Sequence, residues 1–484
     1  MKKGLFLRKP MQAQFVELDE EHHGLKRHLN AFQLTAIGIG AIIGAGIFVV
    51  TGQAAAQFAG PGIALSFVIA AFICTLAGLC YAELSALIPV AGGSYSYSYV
   101  SMGELPAWIV CWAITAQYLI SAATVAVGWS GYFVSFLSDF GIVLPSIWTQ
   151  APFIYDSVNG WQTSGALFNI PALAVVLCLG TLILVGVRAA AYFNNIMVIT
   201  KLCTILFFIV MGAFYIKGEN WIPFIPENTG VFGEFGWSGI FRAAGLVFFA
   251  YIGFDTIATL AQDSINPQKD LPRGILGSLF ICTIAYIATA LVLTGVVSYT
   301  LLNVPDPMSV ALSVMGPQFF WLKLIVKIAI LAGLFTVVLV QMLGQTRVFL
   351  AASKDGLLPP AFSRLHPKLR TPVFSTLVTL LITTLISGLF SVEILGSLVS
   401  MSTLFIFSIV CLGVLILRYT HPEFKRPFKV PFVPFVPLAG ILVCLAQMLV
   451  LPFVTWIQLL VWLFLGGVIY FVYGIQHSKL RGKS

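Results

Sequence analysis

Apolar segments of membrane-crossing length recur along nearly the whole chain and leave few folds open to it. They fall at roughly 31–58, 62–89, 105–136, 166–188, 191–217, 238–262, 272–299, 319–352, 372–391, 394–419, 432–451 and 453–474. A span needs about 20 apolar residues, so the pattern reads as twelve transmembrane helices of an all-α polytopic membrane protein. Composition agrees: 9% of the 484 residues are charged, where a soluble chain carries about 25%.

With twelve spans and a cytoplasmic N-terminus, 20 of the 26 Lys and Arg fall in cytoplasmic segments and only Lys217 in an outer loop. Lys201, Arg242, Lys323, Lys327 and Arg347 lie within or at the ends of spans. The positive-inside rule therefore puts both termini in the cytoplasm. It also explains the net charge of +8 by the anionic leaflet, without nucleic acid as a partner. The six histidines lie in polar connections or tails, which argues against haem or an intramembrane metal site. The eight cysteines fall in apolar runs and read as small buried hydrophobes. Residues 1–30 are polar and carry no signal peptide; Leu25 to Leu29 read as an interfacial stretch. No cofactor is expected.

The first span contains Gly38-Ile39-Gly40-Ala41-Ile42-Ile43-Gly44-Ala45-Gly46-Ile47-Phe48. Each glycine costs a helix interior roughly 1 kcal/mol. Two readings stand for this stretch alone: close helix packing through the Gly40/Gly44 pair, or a helix broken so that bare backbone holds a ligand. The sixth span is also interrupted, at Gly253-Phe254-Asp255, where an aspartate at mid-span costs about 3 kcal/mol to insert. Five spans separate the interruptions. Because five is odd, two such halves have opposite topology. The expected organisation is a cytoplasmic segment (1–30), a first five-helix repeat (31–217), a second inverted repeat (238–419), two accessory helices (432–474) and a cytoplasmic tail (475–484), with helices one and six broken. This symmetry favours the broken-helix reading.

The glycine stretch resembles the first-helix signature of amino acid–polyamine–organocation (APC) transporters. Tyr81-Ala82-Glu83-Leu84-Ser85 through Pro89 to Tyr95 is similar to the family's end of helix two. Phe248 to Asp255, followed by Asn266-Pro267-Gln268-Lys269-Asp270-Leu271-Pro272, resembles helix six and its loop. Gln345-Thr346-Arg347 and Ser353-Lys354-Asp355-Gly356-Leu357-Leu358-Pro359 resemble the end of helix eight. The likeness covers about 25–430, and its nearest branch is the bacterial members of the cationic amino acid transporter family. It implies a leucine-transporter-type fold, alternating access, an amino acid substrate, and proton coupling or exchange rather than sodium coupling. The expected place is a plasma (bacterial inner) membrane.

The resemblance also implies roles. N–H groups of Ile43, Gly44, Ala45 and Gly46, at the positive end of a half-helix, would hold the substrate carboxylate. Carbonyls of Phe249, Ala250 and Ile252 would accept its ammonium. Phe249 and Tyr251 are candidates to line or gate the side-chain pocket; aromatic packing is the alternative. Lys201 lies about ten residues into the fifth span, about 15 Å deep. The family has a lysine here where sodium-coupled relatives hold an ion. Depth disfavours the charged amine, which suits a proton carrier or a fixed structural cation; snorkelling is the alternative. Glu83 is a candidate proton relay or a carboxyl bonded to cytoplasmic loops. Asp255 is a candidate helix cap.

Three positions depart from the branch pattern. Gln117 stands where bacterial relatives often carry a glutamate. Ala261-Gln262-Asp263 replaces a usual glutamate pair. Arg242 occupies the outer part of helix six, where it repels cationic substrates unless it pairs with Glu234. Together they shift the expectation from a cationic to a neutral amino acid. Lys323 and Lys327, at i, i+4 spacing, call for an outer anionic partner or lipid headgroup. An amino acid/amine exchanger, a channel, an intramembrane enzyme and a non-transporting sensor are the rival classes. Spans poor in carboxylates and without histidine argue against an enzyme, and no filter motif argues for a channel.

Overall fold

The computed structural model describes residues 4–10, 29–90, 92–156, 160–185, 188–261, 263–366 and 371–482. The stretch through His28 and Gln262, both noted above, lie outside them. Helix α1 (Ala31–Ile42) begins at a capping box: the Asn30 side chain accepts from the Gln33 N–H, and the Gln33 side chain accepts from the Asn30 N–H. It stops at Ile43, which is extended (φ −71°, ψ 103°). Winding resumes as a π-helical turn (Gly46–Val50), continues through Thr51–Ala54 and Ala55–Ala59, and bends at Gly60–Gly62 into α2 (Ile63–Leu87).

Then come α3 (Gly93–Ser101), α4 (Glu104–Ser138), a β-hairpin (β1 Phe153–Asp156, β2 Gly160–Thr163), α5 (Ile170–Val185) and α6 (Arg188–Ala213). Helix α7 (Gly236–Val247) tightens into a 3-10 turn (Phe248–Tyr251). It breaks at Ile252 (φ −67°, ψ 132°) and Gly253 (φ 132°), and resumes as α8 (Phe254–Ala258). The rest is α9 (Pro267–Val296), α10 (Pro307–Met315), α11 (Phe320–Lys354), α12 (Val373–Leu389), α13 (Val392–Thr420), α14 (Phe435–Val450) and α15 (Phe453–Ile469).

Eight helical runs among the described residues are long and apolar enough to cross a membrane, and four shorter apolar helices accompany them. The run Gly46–Leu87 includes the bend at Gly60–Gly62. The molecule is inverted relative to a soluble protein. Gln117, Lys201, Gln341 and Gln345 are buried, while Phe280, Trp321, Leu442 and Phe464 are exposed. Such a surface suits hydrocarbon and not water. Cys178 and Cys203 are exposed, which corrects the expectation that all eight cysteines are buried. An apolar run gives no hint of which helix face meets lipid.

Packing brings the two broken helices together. α9 lies along α1 and α2, and α4 packs on α11 and α13. Leu29 N–H donates to the Asp263 carbonyl and Ile265 N–H to the Leu29 carbonyl, both at 2.9 Å, so the start of α1 is tied to the loop after α8. Where α4 begins, the carbonyls of Leu5 and Leu7 accept from Leu105 and Glu104 N–H. Buried Glu104 accepts from Tyr470, Ser478 and Arg481 of the C-terminal segment. At the other end of α4, Asp139 is bonded by Lys323 (2.7 Å) and Lys327 (2.5 Å), and Asp306 lies 3.5 Å from Lys327. These carboxylates are the anionic partners the two lysines required.

Candidate functional site: two helix breaks face to face

Both breaks are buried and in contact. A Cβ on Gly46 would stand 2.3 Å from the Ala250 Cα, and one on Gly253 would stand 2.7 Å from the Ala41 backbone carbon. Only glycine permits these approaches, and the positive φ of Gly253 demands it independently. Ile43, Ala45, Phe249, Ala250 and Ile252 are all at most 5% exposed.

The first break leaves donors and acceptors behind. Ile43 N–H still donates to Ile39, and Phe48 N–H to Gly44 at 3.4 Å. Among the described residues no hydrogen bond takes up the N–H of Gly44 or Ala45. Buried donors without partners are uncommon and costly, and here they sit at the start of a helical segment, where the backbone dipole favours an anion. The carbonyls on the α1 side are satisfied from elsewhere. Lys201 Nζ donates to Gly40 (3.0 Å) and Ile43 (3.1 Å), and Tyr286 Oη lies 3.0 Å from the Ile42 oxygen. Lys201 is 1% exposed, so its amine does not snorkel to an interface. It lies against the negative end of α1, which suits a cation.

At the second break the Phe249 carbonyl accepts from Ile252 N–H (3.2 Å) and the Ala250 carbonyl faces Tyr286 Oη (2.9 Å). A carbonyl oxygen has two lone pairs, so each keeps capacity for a further donor. Ile252 is outside both helical segments. Asp255 stands in the first turn of α8. Its Oδ1 accepts from Gly253 N–H (3.2 Å), and its Oδ2 accepts from Gln117 Nε2 (3.1 Å). The carboxylate thus satisfies a backbone donor freed by the break and fastens α4 to α8. The Tyr251 hydroxyl donates to the Phe67 carbonyl (3.1 Å) and is fully buried.

Two candidates lie apart from the breaks. Glu83, 1% exposed, is held by Arg418 (2.6 and 2.9 Å), the Arg426 guanidinium (3.3 Å) and Val430 N–H (2.7 Å). All its described partners belong to the end of α13 and the segment after it. Arg242 lies 4.4 Å above the Phe58 ring. The Glu234 carboxylate accepts instead from the Thr229 hydroxyl (2.8 Å), and among the described residues no ion pair joins Glu234 to Arg242. Sequence reasoning missed Tyr286 altogether. A lone tyrosine in an aromatic-rich span gives no signal until α9 is seen crossing both breaks.

A membrane-embedded helical bundle with two interrupted helices facing one another, unsatisfied N–H groups on one and open carbonyls on the other, is the architecture of a carrier. The amino acid permease family matches residues 29–474. The chain belongs to that family, within the APC superfamily, and is a transporter rather than an enzyme. It is 43% identical to the branched-chain amino acid permease BcaP of Bacillus subtilis, over 99% of this chain and 100% of that one. It is 41% identical to the methylthioribose transporter of the same organism, over 99% of each chain. Identity to the chloroplastic cationic amino acid transporter 9 of Arabidopsis thaliana is 39%, over 81% of this chain and 67% of that protein.

Proposed function

We propose that the chain carries neutral amino acids across a bacterial plasma membrane by alternating access, coupled to protons. The observation that carries this reading is the facing pair of breaks. Free N–H groups of Gly44 and Ala45 suit a carboxylate, and carbonyls of Phe249, Ala250 and Ile252 suit an ammonium a few ångströms away. That is the constant part of every α-amino acid. Lys201, buried against α1 carbonyls, stands as the group whose protonation holds or frees α1. The proposed frame is twelve spans, with spans one to five and six to ten as inverted repeats, and both termini cytoplasmic.

Preference for a neutral side chain rests on the absence of a spare carboxylate at the breaks among the described residues. Asp255 is engaged by Gln117 and Gly253 N–H, and position 117 is an amide. A branched-chain permease among the relatives supports the same preference.

A second reading comes from the methylthioribose transporter. A thiosugar has neither carboxylate nor ammonium and would use the same groups through hydroxyls. The deciding experiment is uptake into proteoliposomes of leucine, isoleucine, alanine, lysine and methylthioribose, under an imposed pH gradient, a sodium gradient or internal counter-substrate. Leucine or isoleucine uptake driven by the pH gradient is expected. Uptake of methylthioribose alone would replace the amino acid reading, and sodium-dependent uptake indifferent to pH would remove the proton.

A further inference from the structure

Helix α9 contributes a residue that the reading above does not use. Tyr286 is fully buried, with its ring 5.5 Å from Phe67 and 5.3 Å from Tyr251. Its hydroxyl lies between two carbonyl oxygens, Ile42 at 3.0 Å and Ala250 at 2.9 Å. These belong to different breaks. Ile42 ends α1, and Ala250 sits in the 3-10 turn ahead of Ile252. Lys201, by contrast, bonds only the α1 side among the described residues. A phenol has one proton to donate, so the two carbonyls compete for it.

We propose that Tyr286 is a positioning residue that links occupancy of the Ala250 carbonyl to the hold on the end of α1. The proposal rests on the amino acid reading for the identity of the ligand. In the empty protein the phenolic proton is divided between the two oxygens. A substrate ammonium is a charge-assisted and stronger donor; on the other lone pair of the Ala250 oxygen it draws off electron density and leaves that oxygen the poorer acceptor for the phenol. The phenolic proton then goes wholly to Ile42. Substrate at the second break thereby tightens the first, so α1 is held when substrate is present and released more readily when it is not. No proton is gained or lost in this exchange; a shared hydrogen bond becomes an undivided one.

The test is amide hydrogen exchange of α1 in the full chain, empty and with L-isoleucine, L-alanine or L-lysine, for wild type, Tyr286→Phe and Phe67→Leu. Tyr286→Phe keeps the ring and removes the hydroxyl. One hydrogen bond is worth about fivefold in an opening equilibrium. Exchange of α1 is therefore expected to rise about fivefold in empty Tyr286→Phe, and the protection that substrate adds at α1 in wild type is expected to disappear. Half-saturation should stay within about threefold while accumulated substrate falls, because α1 opens without its load. Phe67→Leu, which disturbs ring packing and leaves the hydroxyl, should retain the substrate-induced protection. Unchanged α1 exchange in Tyr286→Phe, or equal loosening by both variants, overturns the role of the hydroxyl. Loosening by Tyr286→Phe alone, with no protection of wild type by any of the three amino acids, keeps the hydroxyl's hold on α1 and overturns the amino acid substrate.

Discussion

Lys201 reaches across from α6 to the last turn of α1 and donates to the Ile43 carbonyl at 3.1 Å, with a second bond to Gly40 at 3.0 Å. Both oxygens are buried with the residues that carry them. Lys201→Met keeps most of the length and apolar volume of the stem but leaves two carbonyls without these donors, at about 1–3 kcal/mol each. The expected outcome is a folded but destabilised protein in which a pH gradient no longer drives uptake. Counterflow of substrate at equal pH should survive in part. Intact uptake driven by the pH gradient in this variant would exclude Lys201 from coupling.

Gly44 and Gly46 separate the two meanings of a glycine at the first break. A methyl on Gly46 meets the Ala250 backbone at 2.3 Å, whereas one on Gly44 meets Val337 side-chain atoms at 3.5 and 3.6 Å and the Ile42 carbonyl oxygen at 3.9 Å, all ordinary contact distances. Gly46→Ala must push two backbones apart, at about 1–3 kcal/mol or more, so loss of both thermal stability and uptake is expected. Gly44→Ala fits the fold without such displacement. Its expected effect is a rise in half-saturating substrate of tenfold or more at near-normal melting temperature, because the methyl crowds the bare N–H groups. Unimpaired half-saturation in Gly44→Ala would move the carboxylate site elsewhere.

The interruptions themselves were legible in the sequence. Glycines inside an apolar span, and an aspartate after a glycine five spans later, break local rules that a lipid-crossing helix obeys. Lys201 was legible by its depth, together with the lysine that the resembled family has at this position. What closes around these residues was not. Which carbonyls Lys201 meets depends on how α6 crosses α1, and Tyr286 matters only because α9 spans both breaks. The i, i+4 spacing of Lys323 and Lys327 announced a need for anions; Asp139 lies more than 180 residues earlier in the chain, and only the packing of α4 on α11 brings it near. Gln117 drew notice for the glutamate it replaces, while its bond to Asp255 required the fold.

That bond gives a substitution with a definite sign. Gln117→Glu sets a second carboxyl beside buried Asp255, in place of an amide that donates at 3.1 Å. Two carboxylates that close cannot both ionise in a buried site, so one binds a proton at neutral pH. The pair then shares one proton and one negative charge, which is expected to admit lysine as a competitor and to add a pH dependence to the one that proton coupling already gives the parent. Uptake measured from pH 5 to 8, with lysine as competitor, tests this. Gln117→Leu is the control: it removes the donor and should loosen α8 without adding any pH dependence.

The far end of α4 makes a prediction about acid. Burial raises the Asp139 carboxyl, but hydrogen bonds and charges from Lys323 and Lys327 outweigh it, and the group ends below the ordinary aspartate value. A carboxylate depressed in the folded state contributes stability that is fully present above its unfolded value of about 3.9 and is lost as pH falls through the lower folded value. The Asp139 contribution to the melting temperature should therefore be flat from pH 8 to pH 5 and fade only below about pH 4. Asp139→Asn removes it at every pH. Lys327, whose side chain is wholly buried, would keep Asp306 at 3.5 Å and Ser135 at 2.7 Å. The loss should then fall at the low end for a broken buried pair, about 3 kcal/mol. The wild-type and variant melting curves should converge on acidification. Parallel curves down to pH 3 would mean that Asp139 acts through packing and not through its charge.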